Sequence, residues 1–233
     1  MCGSTTLVSV TLLFSSLFFA FVNYETKWTV PLNVHLSNNA KCKDPQEVKW
    51  KWRNILTSFI HSSITGLWAP LAFAAQPSLG ADMIHAYSTS AHDLVSFSIG
   101  YFVYDFCDMA LFHRKGSTYE LLIHHGMVIL CFSIAVSTQT YVAYAALSLL
   151  IEINSVFLHS RQLLIFCGMA KSTWIYRANA IMNATTFVLF RILLLGWMTR
   201  WLTLHRATYS ECVNEADQVD NLAMQMKSAV HRR

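Results

Sequence analysis

Six blocks of apolar residues, separated by polar stretches, follow one another along the chain. They lie at roughly 5–23, 55–75, 92–112, 121–137, 140–158 and 180–203. Each block is close to the ~20 residues that cross a bilayer as an α-helix. An open strand would leave its backbone amides unpaired in lipid, so a helix is the conformation that fits these blocks. The pattern predicts an all-α fold, a polytopic transmembrane bundle of about six spans.

The polar stretches divide the chain into three parts. Residues 1–30 hold the first apolar block and a short linker, residues 31–205 hold the other five blocks, and residues 206–233 form a polar tail. No basic residue precedes the first block, and its cleavage would leave the most basic loop on the wrong side of the membrane. We therefore expect the first block to be retained as a signal-anchor span rather than removed as a signal peptide.

Basic residues are confined to alternate loops. The loops 24–54, 113–120 and 159–179 hold six, two and three Lys or Arg residues, whereas the segments 1–4, 76–91 and 138–139 hold none. By the positive-inside rule, the first, third and fifth loops are cytosolic, and the N-terminus and the other two loops lie outside or in a lumen. The basic tail is at odds with the rule if the chain has six spans.

The composition supports a membrane protein and excludes several other classes. Hydrophobic residues make up 54% of the chain and charged residues 13%, about half the ~25% charge of an average soluble domain. The net charge of +4 is too small and too scattered to predict a nucleic-acid partner. The six cysteines contain no Cys-x-x-Cys pair, so we interpret them as small apolar residues rather than disulfides or zinc ligands.

Ionisable and amide side chains fall inside the apolar blocks at similar depths. They are His61, Asp105, Asp108, His124, His125, Glu152 and Asn154. Counted from the cytosolic ends of their blocks at ~1.5 Å per residue, they lie within roughly 6–11 Å of the same membrane face. A charged group near the bilayer centre costs ~2.5–3.5 kcal/mol on insertion scales, so each of these residues requires an explanation. The sequence predicts one polar layer built from four helices.

Two interpretations of this layer remain open. The side chains either pair with one another to hold the bundle together, or they line a cavity in which an imidazole acts as a base or nucleophile. Adjacent histidines point about 100° apart on a helix, so at most one of His124 and His125 faces a given carboxylate. In the sixth block, Arg191 pairs with an acidic group or with a lipid phosphate. Without His-x-x-x-His or Glu-x-x-His spacings, we expect no metal site.

Several short motifs in series resemble the TLC domain family over roughly residues 31–200. The motifs are Trp52-Arg53-Asn54, Ser58-Phe59-Ile60-His61, Phe97-Ser98-Ile99-Gly100-Tyr101-Phe102, Leu122-Ile123-His124-His125, Glu152-Ile153-Asn154-Ser155, Tyr176-Arg177-Ala178-Asn179 and Phe190-Arg191. The resemblance implies a multi-span helical protein of the plasma membrane, with the endoplasmic reticulum as the alternative. It also implies that the protein regulates phospholipid acyl composition and membrane fluidity by limiting polyunsaturated chains, with membrane lipids, acyl chains or phospholipids as its partners.

Ceramide synthases, distant members of the same family, use a His-His pair for acyl transfer from acyl-CoA. The resemblance therefore implies a catalytic role for His124 and His125. Together with the depth of the polar residues, it leads us to expect catalytic roles for Asp105, Asp108 and Glu152 as well, and lipid-binding roles for His61, Asn154 and Arg191. It implies no cofactor, with acyl-CoA as a substrate. Ser155 replaces the second acid of the ceramide synthase motif, so we keep two alternatives open: an acyltransferase of that type, and a non-catalytic protein that binds lipid or modulates a channel.

The resemblance also implies one more apolar helix after the sixth block. Here the sequence turns polar after His205. We therefore expect the chain to be a truncated or alternatively spliced form. With the additional helix, the C-terminus would return to the cytosolic side.

Overall fold

The computed structural model describes residues 2–26, 45–112 and 116–205. Within these ranges the regular structure is helical and no β-strand occurs, which confirms the predicted all-α fold. The α-helices are α1 Cys2–Thr26, α2 Pro45–Ala75, α3 Thr89–Phe112, α4 Gly116–Thr138, α5 Val142–Ser148, α6 Glu152–Phe166 and α7 Trp174–Thr186. There are also two short 3-10 helices. Pro77–Gly80 follows α2, and Leu149–Ile151 joins α5 to α6. The linker 27–44 and the tail 206–233 lie outside the described residues.

The chain divides into two compact units, Met1–Phe190 and Arg191–Arg233. The first unit contains α1 to α7. Phe187–Leu194 is a π-helical segment, and the helical run that begins at Trp174 ends at His205. Of the second unit, the structure describes residues 191–205, which are helical throughout.

Four helices among the described residues are long and apolar enough to cross a membrane. They are Thr89–Phe112, Thr118–Thr138, Val142–Phe166 and Trp174–His205, and each contains most of one of the last four predicted blocks. The first two blocks lie in α1 and α2, which have 25 and 31 residues. Because the first turns of α2 and its His61 region are polar, this helix falls outside the four. The number of six spans therefore stays a prediction.

The predicted end of the fifth block and the predicted start of the sixth are wrong. The fifth block is predicted to end at residue 158, but α6 continues to Phe166. The sixth is predicted to start near residue 180, but α7 begins at Trp174. The polar residues that suggested a loop are accommodated on the helix. The Ser160 hydroxyl donates a hydrogen bond to the Val156 carbonyl at 2.7 Å, and Arg161 Nε donates to the Tyr176 hydroxyl at 3.1 Å.

The boundary between the fourth and fifth blocks is a tight turn. Gln139 and Tyr141 have φ angles of 57° and 61°, in the left-handed region that most residues avoid. The Tyr141 amide donates a 2.7 Å hydrogen bond to the Ile84 carbonyl. This bond ties the turn between α4 and α5 to the loop between α2 and α3.

Close helix approaches place α2 and α3 in the interior of the first unit. A Cβ atom built on Gly100 of α3 would lie 2.5 Å from Ser15 Cβ of α1, and one built on Gly66 of α2 would lie 3.2 Å from the Ile153 amide nitrogen of α6. The Ser15 hydroxyl donates to the Phe97 carbonyl at 2.6 Å. Small residues allow such approaches between helices, and they bring the polar faces of α2, α3 and α6 together.

Candidate functional site

Asp105 is the centre of a polar group that joins three helices. Its residue is 3% exposed and lies on α3. The Asn54 amide of α2 donates to Asp105 Oδ1 at 2.6 Å, and Nδ1 of His125 from α4 lies 3.1 Å from Asp105 Oδ2. A buried carboxylate is stable only when it is paired or hydrogen-bonded. Here both oxygens have a partner from another helix.

His125 is buried against this carboxylate and against an aromatic ring. The residue is 7% exposed, and the Phe102 ring meets its imidazole edge to face, with the ring centroids 5.2 Å apart. The distance from Nδ1 to Asp105 is that of an ion pair, but Nδ1 lacks the alignment of a hydrogen bond. The contact is therefore chiefly electrostatic. A histidine beside a carboxylate is an arrangement suited to a general base.

The neighbouring histidine points elsewhere. His124 is exposed, and its ring centroid lies 5.7 Å from that of His125. The divergence follows from the ~100° between successive helical residues. Of the two adjacent histidines, the structure brings His125 to the carboxylate.

The second aspartate of α3 has a different partner. Trp50 Nε1 of α2 donates to Asp108 Oδ2 at 2.8 Å, and Asp108 is 9% exposed. Asp105 and Asp108 are three residues apart and so share one face of α3. Both carboxylates therefore take a hydrogen bond from the first turns of α2.

Glu152 belongs to a separate group between α2 and α6. The Ser62 hydroxyl lies 2.9 Å from Glu152 Oε2 and 2.8 Å from the Ser58 carbonyl, and its one proton can serve only one of these acceptors at a time. Glu152 is the first residue of α6 and continues the helical run from α5 through the 3-10 turn. The predicted polar layer is thus divided into smaller groups.

His61 lies deep among aromatic rings. It is 1% exposed and stacks on Tyr101, with ring centroids 3.8 Å apart and an angle of 9° between the rings. The Tyr101 hydroxyl donates to Ser58 Oγ at 2.8 Å. His61 Nε2 has no hydrogen-bond partner within the described part of the chain. The ring therefore packs as a core residue between α2 and α3.

Asn154 contacts α7 rather than the group around His125. The Asn154 amide donates to the Asn183 carbonyl at 3.0 Å, and Thr186 Oγ1 lies 3.1 Å from the same nitrogen. These contacts hold α6 to α7. Arg191 is half-buried and lies in the second unit, within the π-helical segment.

The sequence interpretation missed the donors on α2. Asn54 and Trp50 hold the two aspartates, yet neither was a candidate site residue. A signal was present, because one polar face of α2 repeats at helical spacing. That face consists of Asn54, Ser58, His61, Ser62 and Thr65. Such a stripe on an otherwise apolar helix indicates contact with polar groups on its neighbours.

The described residues contain no group of three His, Cys, Asp or Glu side chains arranged to hold a metal ion. The side chains around Asp105 are an imidazole, His125, and an amide, Asn54. Such a set can orient an imidazole and stabilise its charged form.

Comparison with known proteins gives the family. The TLC domain matches residues 51–222 of this chain, which is most of its length. The chain belongs to the TLC domain family. The match spans the helices that carry Asn54, Asp105, His125 and Glu152.

Three TLC domain-containing proteins illustrate the similarity. It is 54% identical to TLC domain-containing protein 2 of Danio rerio over 157 residues, which are 67% of this chain and 63% of that protein. It is 38% identical to TLC domain-containing protein 2 of Homo sapiens over 154 residues, 66% of this chain and 58% of that protein. It is 31% identical to TLC domain-containing protein 1 of Homo sapiens over 172 residues, 74% of this chain and 67% of that protein. The chain spans about 60% of the length of the first two relatives, and no solved structure matches it.

The family and the fold agree on the class of protein. Four helices can span a membrane, and a TLC domain covers residues 51–222. Together they identify an integral membrane protein. Membership in the TLC domain family indicates a function related to membrane lipids.

Proposed function

We propose that this protein controls the acyl composition of membrane phospholipids, limits their polyunsaturated chains and thereby sets membrane fluidity. The working site in this proposal is the Asn54–Asp105–His125 group. The observation that carries the proposal is a buried imidazole 3.1 Å from a buried carboxylate, inside the TLC domain. We place the protein in the plasma membrane, with the endoplasmic reticulum as the alternative.

The cost of burying this group supports a functional role. Three polar side chains from three helices are removed from water around Asp105. A purely structural contact between helices needs no ionisable groups, because small residues and hydroxyls suffice, as at Ser15 and Gly100. An ionisable group held inside a span is by default a candidate functional residue.

One chemistry that fits the group is acyl transfer with His125 as the general base. Nε2 would take the proton from a lipid hydroxyl as that oxygen attacks the carbonyl of an acyl thioester. The new C–O bond forms, the C–S bond breaks, and the imidazolium returns the proton to the departing thiolate. Asp105 would stabilise the imidazolium, and a positioned base of this kind contributes about 10²–10⁴ in rate.

The second candidate is a protein that binds lipid without transforming it. The divided polar layer favours it, because Glu152, Asn154 and His61 serve contacts between helices and lie in groups separate from His125. In this case the Asp105 group would fix the bundle around a bound acyl chain. Purified protein would then retain a labelled acyl chain but would not transfer it to another lipid.

The test is quantitative lipidomics on cells that lack the protein and are fed a polyunsaturated fatty acid. The cells are rescued at matched expression with the unaltered protein, with His125→Ala or with His85→Ala. His85 is exposed in the loop between α2 and α3 and serves as the matched control. We expect His85→Ala to restore the acyl composition and His125→Ala to leave the polyunsaturated fraction as high as in cells without the protein.

A third variant, His124→Ala, separates a single-histidine site from the paired site of ceramide synthases. Full rescue by His124→Ala with failure of His125→Ala supports a single imidazole beside Asp105. Failure of both variants supports the paired site. Full rescue by His125→Ala, with normal expression and localisation, would show that the imidazole is not needed and the proposal is wrong.

A further inference from the structure

Three hydrogen-bond donors near one end of the bundle have no acceptor. They are Nδ2 of Asn23 on α1, Nε of Arg53 on α2 and the hydroxyl of Tyr104 on α3. Each atom is shielded from solvent, and none has a hydrogen-bond partner within the part of the chain that the structure describes. A buried donor without an acceptor costs about 1–3 kcal/mol, more if it is charged. We call these three residues the donor cluster.

The three donors are neighbours. The ring centroids of Phe19 on α1 and Tyr101 on α3 are 5.1 Å apart, and the next turn of each helix carries Asn23 and Tyr104, whose polar atoms lack the alignment of a hydrogen bond. Arg53 lies one turn after Trp50, which hydrogen-bonds to Asp108 of the same α3. Asn23 lies three residues before the end of α1, and Arg53 lies in the third turn of α2. The cluster is therefore at the predicted cytosolic ends of three packed helices.

Near the donor cluster, the two aspartates have hydrogen-bond or ion-pair partners, whereas the arginine has no ion pair among the described residues. Asp105 is held by Asn54 and His125, and Asp108 accepts a hydrogen bond from Trp50. Arg53 forms no ion pair among the described residues, although it lies one turn from Trp50, the donor to Asp108. A guanidinium with a hydroxyl and an amide beside it is a donor set suited to a phosphate oxyanion. Asp108 beside it retains lone pairs for a cation.

We propose that the donor cluster binds the phosphate of a zwitterionic phospholipid headgroup and that Asp108 binds the ammonium of the same headgroup. The Arg53 guanidinium and the Asp108 carboxylate, which has one oxygen outside the Trp50 hydrogen bond, match the two opposite charges of such a lipid. An anionic phospholipid would instead place its extra negative charge near Asp105 and Asp108. This assignment rests on the proposed function and extends it, since it names the phospholipid whose acyl chains the protein controls.

The depth of the cluster favours a lipid over free phosphate. Asn23, Arg53 and Tyr104 lie near helix ends, where phospholipid headgroups meet the hydrocarbon region, and Asn23 is 7% exposed. A headgroup that enters here would bring its acyl ester region towards Asp105 and His125, on the same ends of α3 and α4. Free phosphate lacks the ammonium that Asp108 would hold.

The test measures equilibrium binding of a fluorescent-acyl phosphatidylcholine to the purified full chain in detergent micelles. Arg53→Gln removes a charged donor, and we expect binding at least about tenfold weaker, because hydrogen bonds from charged groups are the stronger ones. Tyr104→Phe removes one neutral hydroxyl, and we expect about threefold weaker binding. The control Tyr119→Phe makes the same change at an exposed position on α4 and leaves binding unchanged.

Competition identifies the ligand. Unlabelled phosphatidylcholine displaces the probe from the unaltered chain, whereas phosphatidylserine and inorganic phosphate at equal concentration do so poorly. In Asp108→Asn, which lacks the carboxylate, the preference for phosphatidylcholine over phosphatidylserine falls at least about threefold, the loss expected for one ionic contact near the surface.

Three results would overturn the assignment. These are unchanged binding in Arg53→Gln, displacement by inorganic phosphate as effective as by phosphatidylcholine, or a preference for phosphatidylserine in the unaltered chain. The binding experiment and the cellular rescue test the two proposals independently. If His125→Ala rescues the lipid composition but Arg53→Gln weakens binding, the proposed function is wrong and the headgroup site stands. If His125→Ala abolishes rescue and Arg53→Gln binds normally, the headgroup site is wrong.

Discussion

At the scale of single residues, Asp105 links three helices. It accepts a hydrogen bond from Asn54, and Nδ1 of His125 lies 3.1 Å from its other oxygen. Asp105→Leu would leave the half-buried Asn54 amide and the buried His125 ring without this carboxylate, at about 1–3 kcal/mol each. We expect a loss of about 2–5 kcal/mol in the free energy of unfolding, measured by denaturant titration in mixed micelles, and a smaller loss for Asp105→Asn, which keeps an acceptor for Asn54.

Asp93→Asn is the matched control for this change. It lies near the start of the same helix, and its side chain is 35% exposed. An exposed substitution of this kind is usually within about 0.5 kcal/mol of the unaltered protein. If Asp105→Leu is as stable as Asp93→Asn, the buried group does not hold the three helices together.

The residue types at the site could be predicted from the sequence, but their partners could not. Depth counting placed His125, Asp105 and Glu152 near one membrane face. Which carboxylate meets which donor depends on the rotation of each helix about its axis. That rotation is set by close approaches such as Gly66 against Ile153, which leave no local signal. Asn54 was overlooked because it lies in a charged segment before the apolar block.

At the scale of helices, the approach between α1 and α3 depends on the missing side chain of Gly100. An added Cβ would lie 2.5 Å from Ser15 Cβ and 2.8 Å from the Leu12 carbonyl oxygen, which is backbone and cannot turn away. We expect Gly100→Ala to lower the free energy of unfolding by about 1–3 kcal/mol, as overpacking does. Denaturant titration in micelles measures the loss.

Gly126→Ala on α4 is the control for the helix pair. There the new Cβ would meet only Phe106 Cε2, at an ordinary 3.9 Å. Alanine also favours a helix over glycine by up to about 1 kcal/mol, so this variant is expected to be as stable as the unaltered protein or slightly more so. Equal stability of the two variants would contradict a tight contact between α1 and α3.

Helices were predictable wherever the apolar block was long, and their ends were not. Arg161 and Ser160 suggested a loop after residue 158, yet both are accommodated on α6 by contacts with Tyr176 and Val156. Hydrogen bonds of serine to the preceding turn and of arginine across to another helix keep polar residues inside a helix. The pattern of apolar positions along the sequence shows neither of these contacts.

At the scale of the whole molecule, the sequence does not distinguish a helix face that contacts lipid from one that contacts the protein interior. Thr89–Phe112 and Thr118–Thr138 are both apolar, but 56% of the first and 22% of the second is buried. Lipid tails are as apolar as a core, so an outward face needs no polar residues. The order of helices around the bundle was therefore not predictable, whereas the membrane class and the alternation of basic loops were.

The orientation of the chain gives the last prediction, which joins topology to location. Ser78 lies exposed in the loop between α2 and α3, and Ser172 lies exposed in the loop between α6 and α7. The positive-inside rule places the first loop outside or in a lumen and the second in the cytosol. We expect Ser78→Cys and Ser172→Cys, each in a chain whose native cysteines are replaced by serine, to react with an impermeant maleimide from opposite sides.

Selective permeabilisation separates the two membranes. In the plasma membrane, Ser78→Cys is labelled on intact cells, and Ser172→Cys only after digitonin opens that membrane. In the endoplasmic reticulum, neither is labelled on intact cells, digitonin exposes Ser172→Cys, and Ser78→Cys requires full lysis. Labelling of both positions from the same side would contradict an odd number of crossings between the two loops. Because the donor cluster and the Asp105 group lie at the helix ends nearer Ser172, that result would also move them away from the cytosolic leaflet.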